Sequence, residues 1–157
     1  MRRKRHPGRG LARPSLVVNP VIRAKVLTPG EAAAPVLVLD EPLSFWGAFD
    51  PRTGIILDVH HPQRGACVTG RILLMRESKG SGSAPGAIAE AIRLGTAPAA
   101  IILAVPDINL AVGAEVAAIL YGRHCAILAV SAAEWVSLSA ASALRISAEG
   151  EISAETL

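Results

Sequence analysis

Apolar residues along this chain come in short runs separated by polar breaks, and their period changes from one run to the next. Residues 21–27 (VIRAKVL) alternate, with Arg23 and Lys25 outward, and predict a half-buried strand that Thr28-Pro29-Gly30 ends. Residues 35–40 (PVLVLD), 55–59 (IILDV) and 67–75 (CVTGRILLM) predict further strands. A helical period follows from about residue 85 to 94, with Ile88, Ala91 and Ile92 at i, i+3 and i+4 on one face and Gly95 as the stop. Residues 99–105 (AAIILAV) and 125–130 (CAILAV) are almost wholly apolar and predict buried strands. Between them, NLAVGAEVAAILYG predicts a second helix ending at Gly122, and SALRISAEGEISAE reads as a strand and a polar turn. Near-continuous apolar strands on either side of a helix point to βαβ crossovers in a parallel sheet covered on both faces. The expected fold class is therefore α/β, with a β-rich first half and a β/α second half in one β/β/α domain.

Composition sharpens this at one point. Hydrophobic residues make up 51% of the 157, enough for a core, yet aromatics are only 3%, so the core must be built from Val, Ile, Leu and Ala. Three of the five aromatics, Phe45, Trp46 and Phe49, nevertheless fall together in EPLSFWGAFDPRTG. They either close the core at an open sheet end or line the mouth of a pocket or interface, where Trp is enriched.

The net charge of +3 hides an asymmetry. Eight of the 16 Lys and Arg precede Glu31 and no acid does, so the remaining 127 residues carry eight bases against 13 acids, a formal −5. Residues 1–20 are expected to be a basic, flexible arm, with the domain spanning 21–157. A nucleic-acid-binding face needs its basic stripe on the folded body, so a nucleic-acid partner is not expected. No apolar stretch approaches the ~20 residues of a membrane span, and the N-terminus lacks the apolar region of a signal peptide. The expected location is cytoplasmic, with no membrane partner. Cys67 and Cys125 have no metal-ligand spacing and read as two buried small hydrophobes; with neither CxxC nor a Cys/His cluster, no metal site is expected in this chain.

The candidate chemistry lies in SKGSGSAP, between the strand ending at Met75 and the first helix. Backbone N–H groups at a helix N-terminus favour an anion such as a carboxylate or phosphate. Gly80 and Gly82 permit close approach, Ser81 and Ser83 add hydroxyls, and Lys79 adds positive charge. The spacing is neither a Walker A loop nor GxGxxG. A structural alternative stands beside the anion site: Ser83 capping a helix that carries Pro85 in its first turn. His60 and His61, the only adjacent histidines, are either solvated loop residues or a proton-transfer group. Asp107, after a buried strand, reads as the cap of the second helix.

Taken together, PLSFWGAFDPRTGIILDVHHPQRGACVTGRILLM and SKGSGSAPGAIAEAIRLGTAPAAIILAVPDINLAVGAEVAAILYGR resemble the aconitase X swivel domain, over about residues 21–150. The resemblance implies a swivelling β/β/α fold that packs on a large aconitase X-type catalytic subunit. That subunit would hold the iron–sulfur cluster. It also implies a hydro-lyase acting on a hydroxy acid, with a loop serine as base. Laid on this sequence, the base falls on Ser81, with Ser83 as second choice, and Lys79, Gly80, Gly82, Ser83, Ser44 and His61 are the candidate substrate-binding residues. The bacterial relatives imply dehydration of cis-3-hydroxy-L-proline to Δ1-pyrroline-2-carboxylate, and the archaeal ones imply dehydration of mevalonate 5-phosphate. The family's usual arginine is Lys79 here, which loses planar bidentate recognition of a carboxylate; Gly82 and Ala48 are two further departures. They motivate a competing reading, a non-catalytic binding module on the same fold.

Overall fold

The computed structural model describes residues 20–80 and 82–156; the expected arm lies outside these residues apart from Pro20. In chain order the elements are β1 (Ile22–Arg23), β2 (Lys25–Thr28), β3 (Ala32–Val38), β4 (Phe49–Asp50), β5 (Ile55–Ile56), β6 (Ile72–Met75), α1 (Ala84–Leu94), β7 (Ala100–Leu103), α2 (Ile108–Tyr121), β8 (Ala126–Ala129), α3 (Ala132–Ser139), β9 (Ala143–Ile146) and β10 (Glu151–Ala154). Eight strands form one sheet in the order β1-β10-β9-β3-β6-β7-β8-β2, and β4 pairs β5 separately. The expected parallel sheet is its centre: β3 pairs β6, β6 pairs β7 and β7 pairs β8, all parallel.

Residues 21–27 do not form one strand. The run breaks at Ala24, whose N–H donates to Gly150 O (2.9 Å) in the β9–β10 turn. On one side of the break β1 pairs β10, and on the other β2 pairs β8. Strands one residue apart thus stand at opposite ends of the order, which requires the sheet to curl until its ends meet. Two expected strands are also shorter. The 55–59 run keeps only β5, because Asp58 and His61 close a turn (His61 N to Asp58 O, 3.1 Å). The 67–75 run keeps only β6, because Gly70 adopts φ 67° and turns the chain before it.

The strand pleat divides the core in two. Leu73, Met75, Ile101, Leu103 and Ile127 face α1 and α2, meeting Ile88, Ile92, Leu110 and Ala114. Ile72, Leu74, Ile102 and Leu128 face inside the curl, meeting Leu144, Ile146, Ile152, Trp135 and Leu138. Successive residues point to opposite faces, so a strand apolar at every position serves both layers. The layers are sheet, sheet and helices, the expected β/β/α arrangement.

Helix α1 runs as expected, with Pro85 in its first turn, Ile88, Ala91 and Ile92 buried, and Gly95 closing it at φ 78°. Helix α2 begins at the Asp107 cap and ends at Gly122. Helix α3 was not predicted by hydrophobic periodicity; its signal was the capping box Ser131-Ala-Ala-Glu134, where Glu134 N donates to Ser131 Oγ and Ser131 N to Glu134 Oε1 (both 3.2 Å). Among the described residues no helix is long and apolar enough to cross a membrane.

Candidate active site

The carboxyl ends of β3, β6 and β7 lie side by side, and the three segments that follow them continue to pair. Leu43 bridges Ser78 in parallel, and Lys79 N donates to Leu43 O (3.2 Å). On the other side Ala104 N and Val105 N both donate to Arg76 O (2.9 and 2.8 Å). The glycine/serine loop thus leaves a pinned base in the middle of the sheet edge, where ligands bind in open α/β sheets. A shallow cavity of about 260 Å³ opens there, lined by Glu77, Ser78, Gly80, Val105, Pro106, Asp107 and Ile108.

Ser81 lies outside the described residues. Gly80 and Gly82 are exposed, neither has a positive φ, and a Cβ at either would meet no heavy atom within 4 Å. Among the described residues, therefore, nothing packs closely enough to demand glycine at these two positions. Lys79 is exposed beside them. Ser83 holds the N-cap position of α1, but its backbone is helical (φ −93°, ψ −6°) and its side chain makes no capping bond. Side-chain capping needs an extended N-cap residue, so that half of the structural alternative is not realised.

Ser44 lies next to the Leu43 bridge and closes its own turn, donating to Trp46 O (3.0 Å) and accepting from Trp46 N (3.3 Å). His61 is buried, 5% exposed. Gln63 N donates to its Nδ1 (3.0 Å), which leaves Nε2 to carry the proton toward Glu41 O (3.0 Å). Both ring nitrogens are thus engaged, Nε2 with the 40–44 segment and Nδ1 with Gln63, whose side chain donates to Asp40 Oδ2 (2.6 Å), and neither is turned to a ligand in this arrangement. His60 is exposed, its backbone N bonded to Asp58 Oδ1 (2.9 Å).

The aromatic cluster divides its labour. Phe45 is in the core, edge-on to Phe49 with centroids 5.1 Å apart, whereas Trp46 is 62% exposed. Trp46 lines a second, apolar cavity of about 430 Å³ with Gly47, Pro51, Gly86 and Glu90. Arg93 grips Glu90 through two hydrogen bonds (2.8 and 2.6 Å), which hold its carboxyl below the usual carboxylate range.

Two features of the edge were not legible in the sequence. The Arg76 guanidinium stacks over Trp135 of α3 at 4.8 Å, while Trp135 Nε1 donates to Met75 O (3.1 Å). Asp107 caps α2 as expected, accepting from Asn109 N at Oδ1 (2.8 Å), but its Oδ2 also accepts a hydrogen bond from Ser78 Oγ. Ser78 opens the SKGSGSAP motif, but only the pairing of segments across the sheet edge brings it to Asp107.

Of the two cysteines, only Cys67 differs from expectation. Cys125 is buried, and burial pushes its thiol up to about 12, whereas Cys67 is exposed in the turn before β6. Among the described residues no group of three or more His, Cys, Asp or Glu could hold a metal. The donor set described here does not fit an iron–sulfur cluster, the group implied by the resemblance.

A profile of the aconitase X swivel domain matches residues 21–154. This chain belongs to that family. The swivel fold is shared with a crystal structure of Thermococcus kodakaraensis aconitase X in its holo-form (TM-score 0.73, 28% identity), covering 87% of this chain and 99% of that one. In sequence, this swivel domain is 41% identical over 107 residues to a cis-3-hydroxy-L-proline dehydratase of Pseudomonas aeruginosa, covering 68% of this chain but 18% of that protein. It is 40% identical over 98 residues to a phosphomevalonate dehydratase small subunit of Methanothermobacter thermautotrophicus, covering 62% of this chain and 75% of that subunit. The swivel unit thus occurs both inside a much longer polypeptide and as a small chain of its own.

Proposed function

We propose that this chain is the swivel subunit of a heteromeric hydro-lyase, in which its glycine/serine loop meets a hydroxy-acid substrate held by a large catalytic chain. The observation that carries this reading is the loop itself, set on a pinned base at the sheet edge with glycines whose open sides face away from this chain. Exposed glycine with open space beside it among the described residues fits a surface that something else approaches. Exposed apolar residues on α2 support a protein partner: Ile108 (76%), Ile119 (74%), Val112, Val116 and Leu120 form a stripe that a solvated helix face would not carry.

In this reading Ser81 removes the proton from the carbon beside the substrate carboxylate, and the electron pair left behind forms the double bond as the hydroxyl leaves. An unassisted serine is a weak base. The N–H groups at the start of α1 and the Lys79 ammonium favour its alkoxide and the substrate carboxylate. Gly80 and Gly82 give the substrate access to those donors, and Ser83 and Ser44 flank it. His61 supports the 40–44 segment from below. The iron–sulfur cluster is assigned to the large chain, and no step here depends on it.

The favoured substrate is cis-3-hydroxy-L-proline: loss of water across C2 and C3 gives an enamine, which tautomerises to Δ1-pyrroline-2-carboxylate by loss of the N–H proton and protonation at C3. A second reading, mevalonate 5-phosphate, is supported by the 40% identity to the phosphomevalonate dehydratase small subunit. The deciding experiment is co-expression with the large chain and assay of both substrates, for wild type and Ser81→Ala. Turnover of one substrate that Ser81→Ala abolishes while the two chains still co-purify supports the reading and selects the substrate. A complex that turns over neither points to a non-catalytic module.

A further inference from the structure

The glycine/serine loop is a span between two posts, and both posts are fixed by α2. Its exit is the first turn of α1, where Gly113 of α2 admits Pro85: a Cβ at residue 113 would lie 2.6 Å from Pro85 O and 2.9 Å from Pro85 Cα. Its entry is Ser78, half-buried, whose hydroxyl donates to Oδ2 of the α2 cap residue Asp107. The other carboxylate oxygen of Asp107 is committed to Asn109 N at 2.8 Å, so one side chain joins the start of α2 to the start of the loop. Beyond Ser78, Lys79 N donates to Leu43 O at 3.2 Å, just before the exposed Gly80.

We infer that Asp107 is a positioning residue for the glycine/serine loop, acting through Ser78. The carboxylate is needed because it must accept twice, in two directions, from a backbone N–H of its own helix and from a hydroxyl of the neighbouring segment. An Asn can do the first with its amide oxygen, but its amide nitrogen only donates and cannot accept from Ser78 if the serine keeps its present role. With the Ser78 bond gone, the loop keeps its exit post and loses its side-chain anchor at the entry. Small misplacements of a catalytic group are costly, on the order of 10²-fold per ångström. This inference rests on the reading of the loop as the reacting element, and it assigns no contact between Asp107 and substrate.

The test uses Ser78→Ala, Asp107→Asn, the double variant and Ser78→Thr, which keeps a hydroxyl. In the complex with the large chain, both single variants should lower kcat by roughly tenfold or more with KM unchanged, as expected for displacement of a reacting group. The double variant should be no worse than either single one, since both remove the same bond, and Ser78→Thr should restore most of the rate. A second readout needs no activity: in the full chain alone, tryptic cleavage after Lys79 should be roughly tenfold faster in both single variants than in wild type, as local opening becomes easier. Wild-type turnover in either single variant, additive losses in the double variant, or unchanged cleavage after Lys79 overturns the inference. A wild-type complex inactive on every hydroxy acid removes the functional reading instead, and the cleavage rates then still decide whether Asp107 anchors the loop.

Discussion

Gly113 on α2 lies so close to Ile88 on α1 that a methyl group on its Cα would sit 2.3 Å from Ile88 Cγ2. The backbone of Pro85 is almost as near, with its carbonyl oxygen 2.6 Å from the same point. Glycine is here a spacing device between helices, because backbone cannot swing aside as a long side chain can. Gly113→Ala gains helix propensity of about 1 kcal/mol but forces α1 away from α2. We expect a net loss of about 1–3 kcal/mol, the usual cost of overpacking a close contact, read as a lower urea midpoint. Unchanged stability would mean that the two helices part freely.

The buried thiol makes stability depend on alkaline pH. Burial raises Cys125 to about 12 from an ordinary 9.0, so the folded state holds its proton where the unfolded state gives it up. Below about pH 9 both states are protonated and nothing is lost. Between there and about pH 12 stability should fall by up to ~1.4 kcal/mol per pH unit from this group. The stability difference between wild type and Cys125→Ala, measured by urea unfolding at pH 8 and pH 10, isolates it and should shrink at the higher pH. At pH 8 iodoacetamide should modify Cys67 in the native protein and reach Cys125 only after unfolding; rapid native labelling of Cys125 would contradict its burial.

Removing the His61 ring leaves Glu41 O and Gln63 N without their present partners. His61→Ala should cost about 1–3 kcal/mol, from two lost hydrogen bonds and the void left by a buried ring. Heteronuclear NMR of the variant should show the largest shifts in the 40–44 segment. A loss confined to activity, at wild-type stability, would place the ring in the reaction instead.

A charge on the α2 stripe should not harm the isolated chain, because Ile119 is already in water there. Ile119→Glu should therefore leave the melting temperature within a few degrees of wild type while weakening association with the large chain roughly tenfold or more, if residue 119 is buried at the centre of that contact. Sedimentation of the two chains, mixed and separate, measures both self-association and pairing. Undiminished pairing would move the interface off this helix.

Much of this was written in local pattern. The runs at residues 99–105 and 125–130 contain so few polar residues that only strands buried on both faces could use them, and β7 and β8 are such strands. Gly95 and Gly122 ended their helices where expected, because a left-handed C-terminal residue is a local demand. Asp107 was legible as a cap for the same reason, and the motifs around the glycine/serine loop were sufficient to indicate the family.

What the sequence could not determine was every relation that depends on which distant segments become neighbours. The alternation in residues 21–27 predicted a strand, but only the curl of the sheet decided that it would be divided at Ala24 between two edges. Trp135 carried no sign that it would bear the Arg76 guanidinium, nor Ser78 that its hydroxyl would reach Asp107. Local pattern records how each residue meets its own helix or strand, since backbone geometry and burial act over a few residues. The contacts at the sheet edge join segments about 30 to 60 residues apart, and their partners are set by strand order, a property of the whole packed core.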